Sequence, residues 1–307
     1  MSGSVVFQQM LVIFILISVG YYWSKKGKLS EATSKQLSGV VTEFCNPAIM
    51  IVSALEAESA THASILMTAV IVVISYILLI VLGLVIPGML RVEKKEQKFY
   101  NMMMVYGNTG FIGIPVVSAV LGNEAVIYVT VFNLVFNILV YTHGIRVLSS
   151  GEERTEMSKP AWLQIINIGT ISSILAIIIY WWKIPVPVIL ADSCSYMGRC
   201  VTFLSMLILG VSLANMKLSE VFTEKKLYAL SFLRLLVVPI LFVLIVRRFV
   251  TDPLILGTVA LVMAMPAGNM PLMLSKQMGL ESRTLSKGII LTTLISMITI
   301  PIVALFV

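Results

Sequence analysis

Charge is what this chain has least of. Asp, Glu, Lys and Arg make up 12% of 307 residues, about half the share usual in a soluble domain. With 58% hydrophobic residues and a mean hydropathy of +0.99, the composition excludes a water-soluble globule and points to a bilayer. Cysteine is scarce as well. Cys45, Cys194 and Cys200 lie in apolar runs with no CxxC or Cys/His spacing, which excludes a disulfide framework or a zinc site and leaves them as small apolar residues. The two histidines, His62 and His143, are far apart and match no metal or catalytic motif. Without HExxH, GxSxG or paired acids on facing spans, an intramembrane enzyme is not supported. No nucleotide-binding motif is present, and the reading therefore includes no cofactor and no metal. "GNTGFIG" has the spacing GxxGxxG and follows no strand, so it is not a nucleotide loop.

A net charge of +7 would suit nucleic acid or anionic lipid, but its distribution argues for membrane topology and no nucleic-acid partner. About 20 apolar residues cross the hydrocarbon as a helix, and ten such spans are predicted, at about 5–23, 36–55, 63–90, 99–121, 124–147, 161–182, 187–215, 227–249, 254–276 and 286–306. Segments following odd-numbered spans carry seventeen Lys and Arg; those following even-numbered spans carry three, Lys183, Arg247 and Arg248. Basic residues are retained in the cytoplasm, so both termini are predicted outside. The first run lacks a preceding basic residue and a small-residue cleavage motif, and it is read as a first span rather than a removable signal. "YYW" at 21–23 and "YWWK" at 180–183 fit interfacial anchors better than a substrate cage. The methionines read as core or lipid-facing filler.

The linker "SSGEERTEMSKP" splits the chain into a first five-span repeat over 1–149, a cytoplasmic linker over 150–160 and a second repeat over 161–307. An odd number of spans per half forces the second half to enter inverted. Spans four and nine each carry Gly-Asn and proline near their midpoint, "YGNTGFIGIP" and "MPAGNMP", and each ends in a turn with an acid, "LGNE" and "GLES". Proline removes an intrahelical hydrogen bond and glycine tolerates strained backbone, so each span is expected to become two half-helices. In lipid the freed N–H and C=O groups survive only when packed in protein or lining a polar cavity. A half-helix N-terminus carries partial positive charge and free N–H groups suited to a carboxylate. Asn108, Thr109 and Asn269 add polar side chains at that depth. The competing reading makes Gly107, Gly110 and Gly113 a close-packing face and Pro115 and Pro271 simple kinks.

"GNTGFIGIPV…LGNEA", "NPAIMIVSAL", "FNLVFNILVYTHG" and "MPAGNMP" together resemble the auxin efflux carrier family, which includes bacterial malate and malonate permeases and the plant PIN-formed auxin exporters. The resemblance covers nearly the whole chain, without the long cytoplasmic loop of many plant members. It implies an all-α membrane protein of ten transmembrane helices, built as two inverted five-helix repeats whose broken helices 4 and 9 cross. It further implies a scaffold of spans one, two, six and seven, a transport domain formed by the rest, elevator-like motion and a homodimer. The crossover positions are then Asn108, Thr109, Gly110 and Pro115 in span four and Gly268, Asn269, Met270 and Pro271 in span nine, with Asn133 and Asn137 of span five facing the site and Asn46 of span two beside the ion-coupling acid. Span seven departs from the pattern: members read like "GNAxxPLxMLxLG" where this chain has "GRCVTFLSMLILG", so Arg199 stands in place of a small amide and Phe203 in place of proline.

Glu43 is the one acid well inside a span, and by alignment it is the repeat equivalent of Arg199. Charges at that depth are costly, about 2.5–3.5 kcal/mol on insertion scales. Three readings stay open: Arg199 holds a substrate carboxylate with Glu43 as proton-linked partner, the two form a static salt bridge, or each reaches the interface. Arg234 of "SFLRLLVVP" is read as lying one turn into span eight and reaching the cytoplasmic surface. The resulting expectation is a proton-linked secondary carrier of small organic acids in a bacterial plasma membrane. The alternative is a ligand-sensing or lipid-binding protein with a carrier fold and no turnover.

Overall fold

A computed structural model describes residues 3–150, 160–215, 224–280 and 283–307. Most of the linker at 150–160 lies outside these residues, as does Glu281 of "GLES". In chain order the helices are α1 Gly3–Lys25, α2 Glu31–Glu56, α3 His62–Met89, α4 Lys94–Val105, α5 Thr109–Leu121, α6 Asn123–Leu148, α7 Ile168–Trp182, α8 Val188–Ala214, α9 Lys225–Val246, α10 Pro253–Met263, α11 Met270–Gln277 and α12 Arg283–Ala304. Among the described residues there is no β-strand, only one isolated bridge between Gly107 and Ala267.

Seven of these helices are long and apolar enough to cross a membrane. The other three predicted spans contain only shorter apolar helices, α5, α7 and α10, for a local reason in each case. Spans four and nine are cut at Tyr106–Asn108 and Ala264–Asn269. In span six the turn Ala161–Ile165 is set off from α7 by Ile166 and Asn167, and the Asn167 side chain accepts from the Thr170 N–H (3.1 Å) to start α7.

Helix ends follow their sequence signals. Thr61 opens α3 with a capping box: its hydroxyl accepts from the Ser64 N–H (3.1 Å) and its own N–H donates to Ser64 Oγ (2.8 Å). Asp252 opens α10 by accepting from the Leu254 and Ile255 N–H groups at 2.8 and 3.3 Å. Four helices widen into single π turns at 41–45, 109–113, 140–144 and 233–237. Three of these run into a proline two residues on, Pro47, Pro115 and Pro239. The wide turn relieves the clash between the proline ring and the preceding carbonyl without ending the helix.

Helices α1, α2 and α8 pack as one group, and α7 lies between α2 and α6. Close approach within that group depends on small residues. A Cβ on Gly20 would sit 2.2 Å from the Leu207 carbonyl oxygen, one on Gly210 2.1 Å from that of Ile17, and Gly198 lies against Ile49. Helices α3, α4, α6, α9, α10 and α12 form the second group. Half-helix α5 lies between the two, against α8 and α1 on one side and α10 on the other, whereas α11 has α12 and the end of α6 as its main neighbours. The rings of Tyr21, Tyr22 and Trp23 are exposed and lie under the ammonium groups of Lys25, Lys26 and Lys28, at 5.7, 5.5 and 5.6 Å, the arrangement expected of an interfacial belt.

Candidate functional site

The two breaks meet. Asn108 N–H donates to the Pro266 carbonyl (2.7 Å) and Gly268 N–H donates to the Tyr106 carbonyl (2.8 Å), so the interrupted helices are tied by a two-bond antiparallel bridge. The C-termini of α4 and α10 and the N-termini of α5 and α11 converge on this crossing. Gly268 has no side chain for a structural reason: a Cβ there would lie 3.0 Å from the Gly107 carbonyl oxygen.

Polar side chains gather on the α5 side. Asn108 is the N-cap of α5, its Oδ1 accepting from the Phe111 N–H (3.1 Å). Thr109 Oγ1 donates to Asn133 Oδ1 (3.3 Å), and Asn137 Nδ2 donates to the Asn133 carbonyl (2.8 Å). Asn46 approaches from α2; its Nδ2 would be 3.8 Å from a Cβ on Gly110, and its buried Oδ1 has no partner among the described residues. The structure thus brings together Asn46, Asn108, Thr109, Gly110, Asn133 and Asn137. Pro115 is buried on α5; just before α11 Gly268 is buried and Asn269 exposed, and in α11 Met270 is half-buried and Pro271 buried. Unlike Asn108, Asn269 makes no side-chain capping bond.

The breaks leave donors open. Among the described residues the N–H groups of Gly110, Asn269, Met270 and Leu272 have no hydrogen-bond partner, as expected for first turns of half-helices. Ala267 N–H is satisfied by Thr292 Oγ1 (3.2 Å).

Two expectations about charges change. Glu43 and Arg199 are both exposed, and no ion pair joins them among the described residues. The α2 and α8 segments pack with Ile49 against Gly198, and the Arg199 guanidinium lies 5.9 Å from the exposed ring of Tyr196. The paired reading is therefore not what this conformation contains.

The reading of Arg234 is overturned. It is 2% exposed and is among the largest fully buried side chains of the protein. Nη1 donates to the Met263 carbonyl, the last residue of α10. Nη2 lies against Gly107, where a Cβ would be 2.7 Å away. Nε has no partner among the described residues, and the guanidinium borders a small cavity lined by Ser75, Tyr76, Gly107 and Thr109. The signal was available. Arg234 is nine residues beyond Lys225, which at 1.5 Å per residue is about 13 Å, near the middle of a hydrocarbon layer about 30 Å thick. That is too deep for a side chain to reach the surface.

A multi-pass helical membrane protein with two helices broken and bridged inside the bundle is a transporter architecture. Comparison with known proteins gives the same class. A family described as membrane transport protein matches residues 5–304, and the chain belongs to this family, the auxin efflux carriers that its motifs resemble. An uncharacterized transporter of Methanocaldococcus jannaschii is 25% identical over 213 residues, which cover 66% of this chain and 68% of that protein.

Proposed function

We propose that the protein is a proton-linked secondary carrier of small organic anions, mono- or dicarboxylates or auxin-like weak acids, working by elevator-type alternating access. The observation that carries this reading is the set of unpaired N–H groups at Gly110, Asn269, Met270 and Leu272 on two half-helix N-termini beside a bridged crossing. Donors with partial positive charge in an apolar surround suit a carboxylate. Asn46, Asn108, Thr109, Asn133 and Asn137 supply neutral polar groups around it; Gly268, Met270 and Pro271 shape the opposite half-helix.

The topology in this reading is ten spans in two inverted repeats with both termini outside. Helices α1, α2, α7 and α8 are the scaffold and the second group, with the half-helices, moves against it. In that topology α5 occupies the outer half and α11 the cytoplasmic half. The packing of α5 on α1 and α8, with no cover of that extent on α11 among the described residues, then corresponds to an inward-facing state. Glu43 is the proton-linked acid. Arg199, exposed beside Tyr196 and Phe203 at mid-depth on α8, belongs to a face that a second copy of the chain covers, in keeping with a homodimer in a plasma membrane.

Uptake of labelled mono- and dicarboxylates into proteoliposomes under an imposed pH gradient tests the reading. Saturable uptake that collapses with the gradient is expected. Binding of a panel acid with neither flux nor counterflow would refute transport and leave the sensor reading in its place.

A further inference from the structure

Among the described residues the most deeply buried charge, Arg234, stands on the crossing, and no acid neutralises it. Arg234 makes no ion pair among the described residues; what it meets is the carbonyl of Met263 and the backbone of Gly107. A guanidinium has five N–H donors and keeps its charge at any physiological pH, and a buried cation without compensation is strongly unfavourable. Compensation therefore has to come from backbone dipoles, from a ligand, or from both.

The geometry divides these sources. Helices α4 and α10 end at the crossing, and each C-terminus is equivalent to about −0.5 elementary charge. Helices α5 and α11 begin there, each contributing about +0.5. Without Arg234 the four ends would cancel, and the crossing would favour neither sign. With Arg234 bonded to the last residue of α10 and seated against the first residue beyond Tyr106, its +1 offsets the two carbonyl ends. The two N–H ends are left uncompensated.

We propose that Arg234 is the fixed positive charge that makes this crossing an anion site: it neutralises the carbonyl-terminated half-helices from behind, so that the N–H-terminated ones hold a carboxylate without an arginine touching it. Arg234 is a positioning residue in this account, and the account rests on the carboxylate reading above. Nε has no partner among the described residues, and Arg234 lines the cavity that Gly107 and Thr109 also line. The cavity is of a size for about one water, which would carry the hydrogen bond from Nε toward Thr109 at the start of α5.

The test compares Arg234→Lys, which keeps the charge, with Arg234→Met, which keeps the bulk without it. Binding of acetate, malonate, malate and indole-3-acetate to purified protein, each beside its uncharged amide, is measured in detergent along with liposome uptake. Wild type should prefer acid to amide by at least about tenfold, as one charge-assisted interaction provides. Arg234→Met should lose that preference while its amide binding is unchanged, and Arg234→Lys should retain most of it. Equal loss of acid and amide binding in both variants would make Arg234 a packing residue and overturn the inference. So would an unaltered preference in Arg234→Met. If the Met variant does not fold, wild type still decides: equal binding of acid and amide sinks the proposal. Preferential acid binding without flux would refute the carrier reading and leave this one standing.

Discussion

The three glycines of span four, spaced three apart, are not equivalent, and alanine substitutions should separate them by sign. At Gly268 and Gly107 the new methyl meets the crossing itself. A Cβ on Gly268 would be 3.0 Å from the Gly107 oxygen and 3.3 Å from its carbonyl carbon, and one on Gly107 would be 2.7 Å from Arg234 Nη2. Ordinary contact needs about 0.4 Å more at the first position, and the atoms there are backbone, held by bonds of 2.7 and 2.8 Å between the two broken helices. Moving them strains or breaks one buried bond, at about 1–3 kcal/mol. At Gly107 the obstacle is a side chain with a small cavity beside it, so the cost should fall at the lower end of that range. At Gly110 the nearest atom is Asn46 Nδ2 at 3.8 Å, and at Gly113 the contacts begin at 3.5 Å. Both sit in a helical turn, where alanine gains about 0.5–1 kcal/mol over glycine. Thermal unfolding in detergent should therefore rank Gly268→Ala lowest, Gly107→Ala next, and Gly110→Ala and Gly113→Ala at or above wild type. A melting temperature for Gly268→Ala within about a degree of Gly110→Ala would refute the claim that the bridge is a close-packed crossing.

Asn46→Leu should leave stability unchanged or raise it by up to about 1 kcal/mol, because it removes a buried acceptor without a partner, yet it should abolish uptake; retained uptake would remove Asn46 from the site. Gly210→Ala should destabilise by about 1–3 kcal/mol in the same melting assay, since its Cβ would stand 2.1 Å from the Ile17 carbonyl oxygen and backbone cannot yield locally. Thr61→Ala should cost about 1 kcal/mol through loss of the capping box of α3, with affinity for the transported acid unaltered.

The breaks in spans four and nine could be read from sequence because Gly, Asn and Pro change backbone energetics locally. Their meeting could be read only from the resemblance, since a two-bond bridge between Tyr106–Asn108 and Pro266–Gly268 depends on how distant helices pack. The clustering of Asn133 and Asn137 with Thr109 follows from an i, i+4 spacing on one face of α6. Seven residues separate Arg234 from the predicted start of its span at 227, a rise of about 10 Å and two turns rather than one, so a depth beyond reach of the surface is legible in the sequence itself. Glu43 and Arg199 stand apart in this conformation for a separate reason. Repeat equivalence relates positions by a rotation and does not bring them into contact, and side-chain direction on α2 and α8 is set by packing such as Ile49 on Gly198.

Hydrogen-bond accounting at the crossing also bears on the coupling ion. Interrupted helices expose both donors and acceptors, and a sodium site in such a place is built from unwound carbonyls. Here four of those carbonyls are occupied: Tyr106 by Gly268 N–H, Pro266 by Asn108 N–H, Gly107 by Thr109 N–H at 3.0 Å, and Met263 by Arg234. Among the described residues the N–H groups at Gly110, Asn269, Met270 and Leu272 remain open, as do the carbonyls of Ala264, Met265, Ala267 and Gly268, so exclusion of a cation falls to the charge of Arg234 rather than to a lack of acceptors. The fixed charge of the buried Arg234 guanidinium beside these groups discriminates against cations as well as favouring anions. Uptake driven by a pH gradient should therefore be the same in sodium, potassium or choline medium. A several-fold dependence of KM on sodium would mean that the carbonyls at the break hold a cation despite Arg234, and the anion-selective description of the crossing would have to be given up.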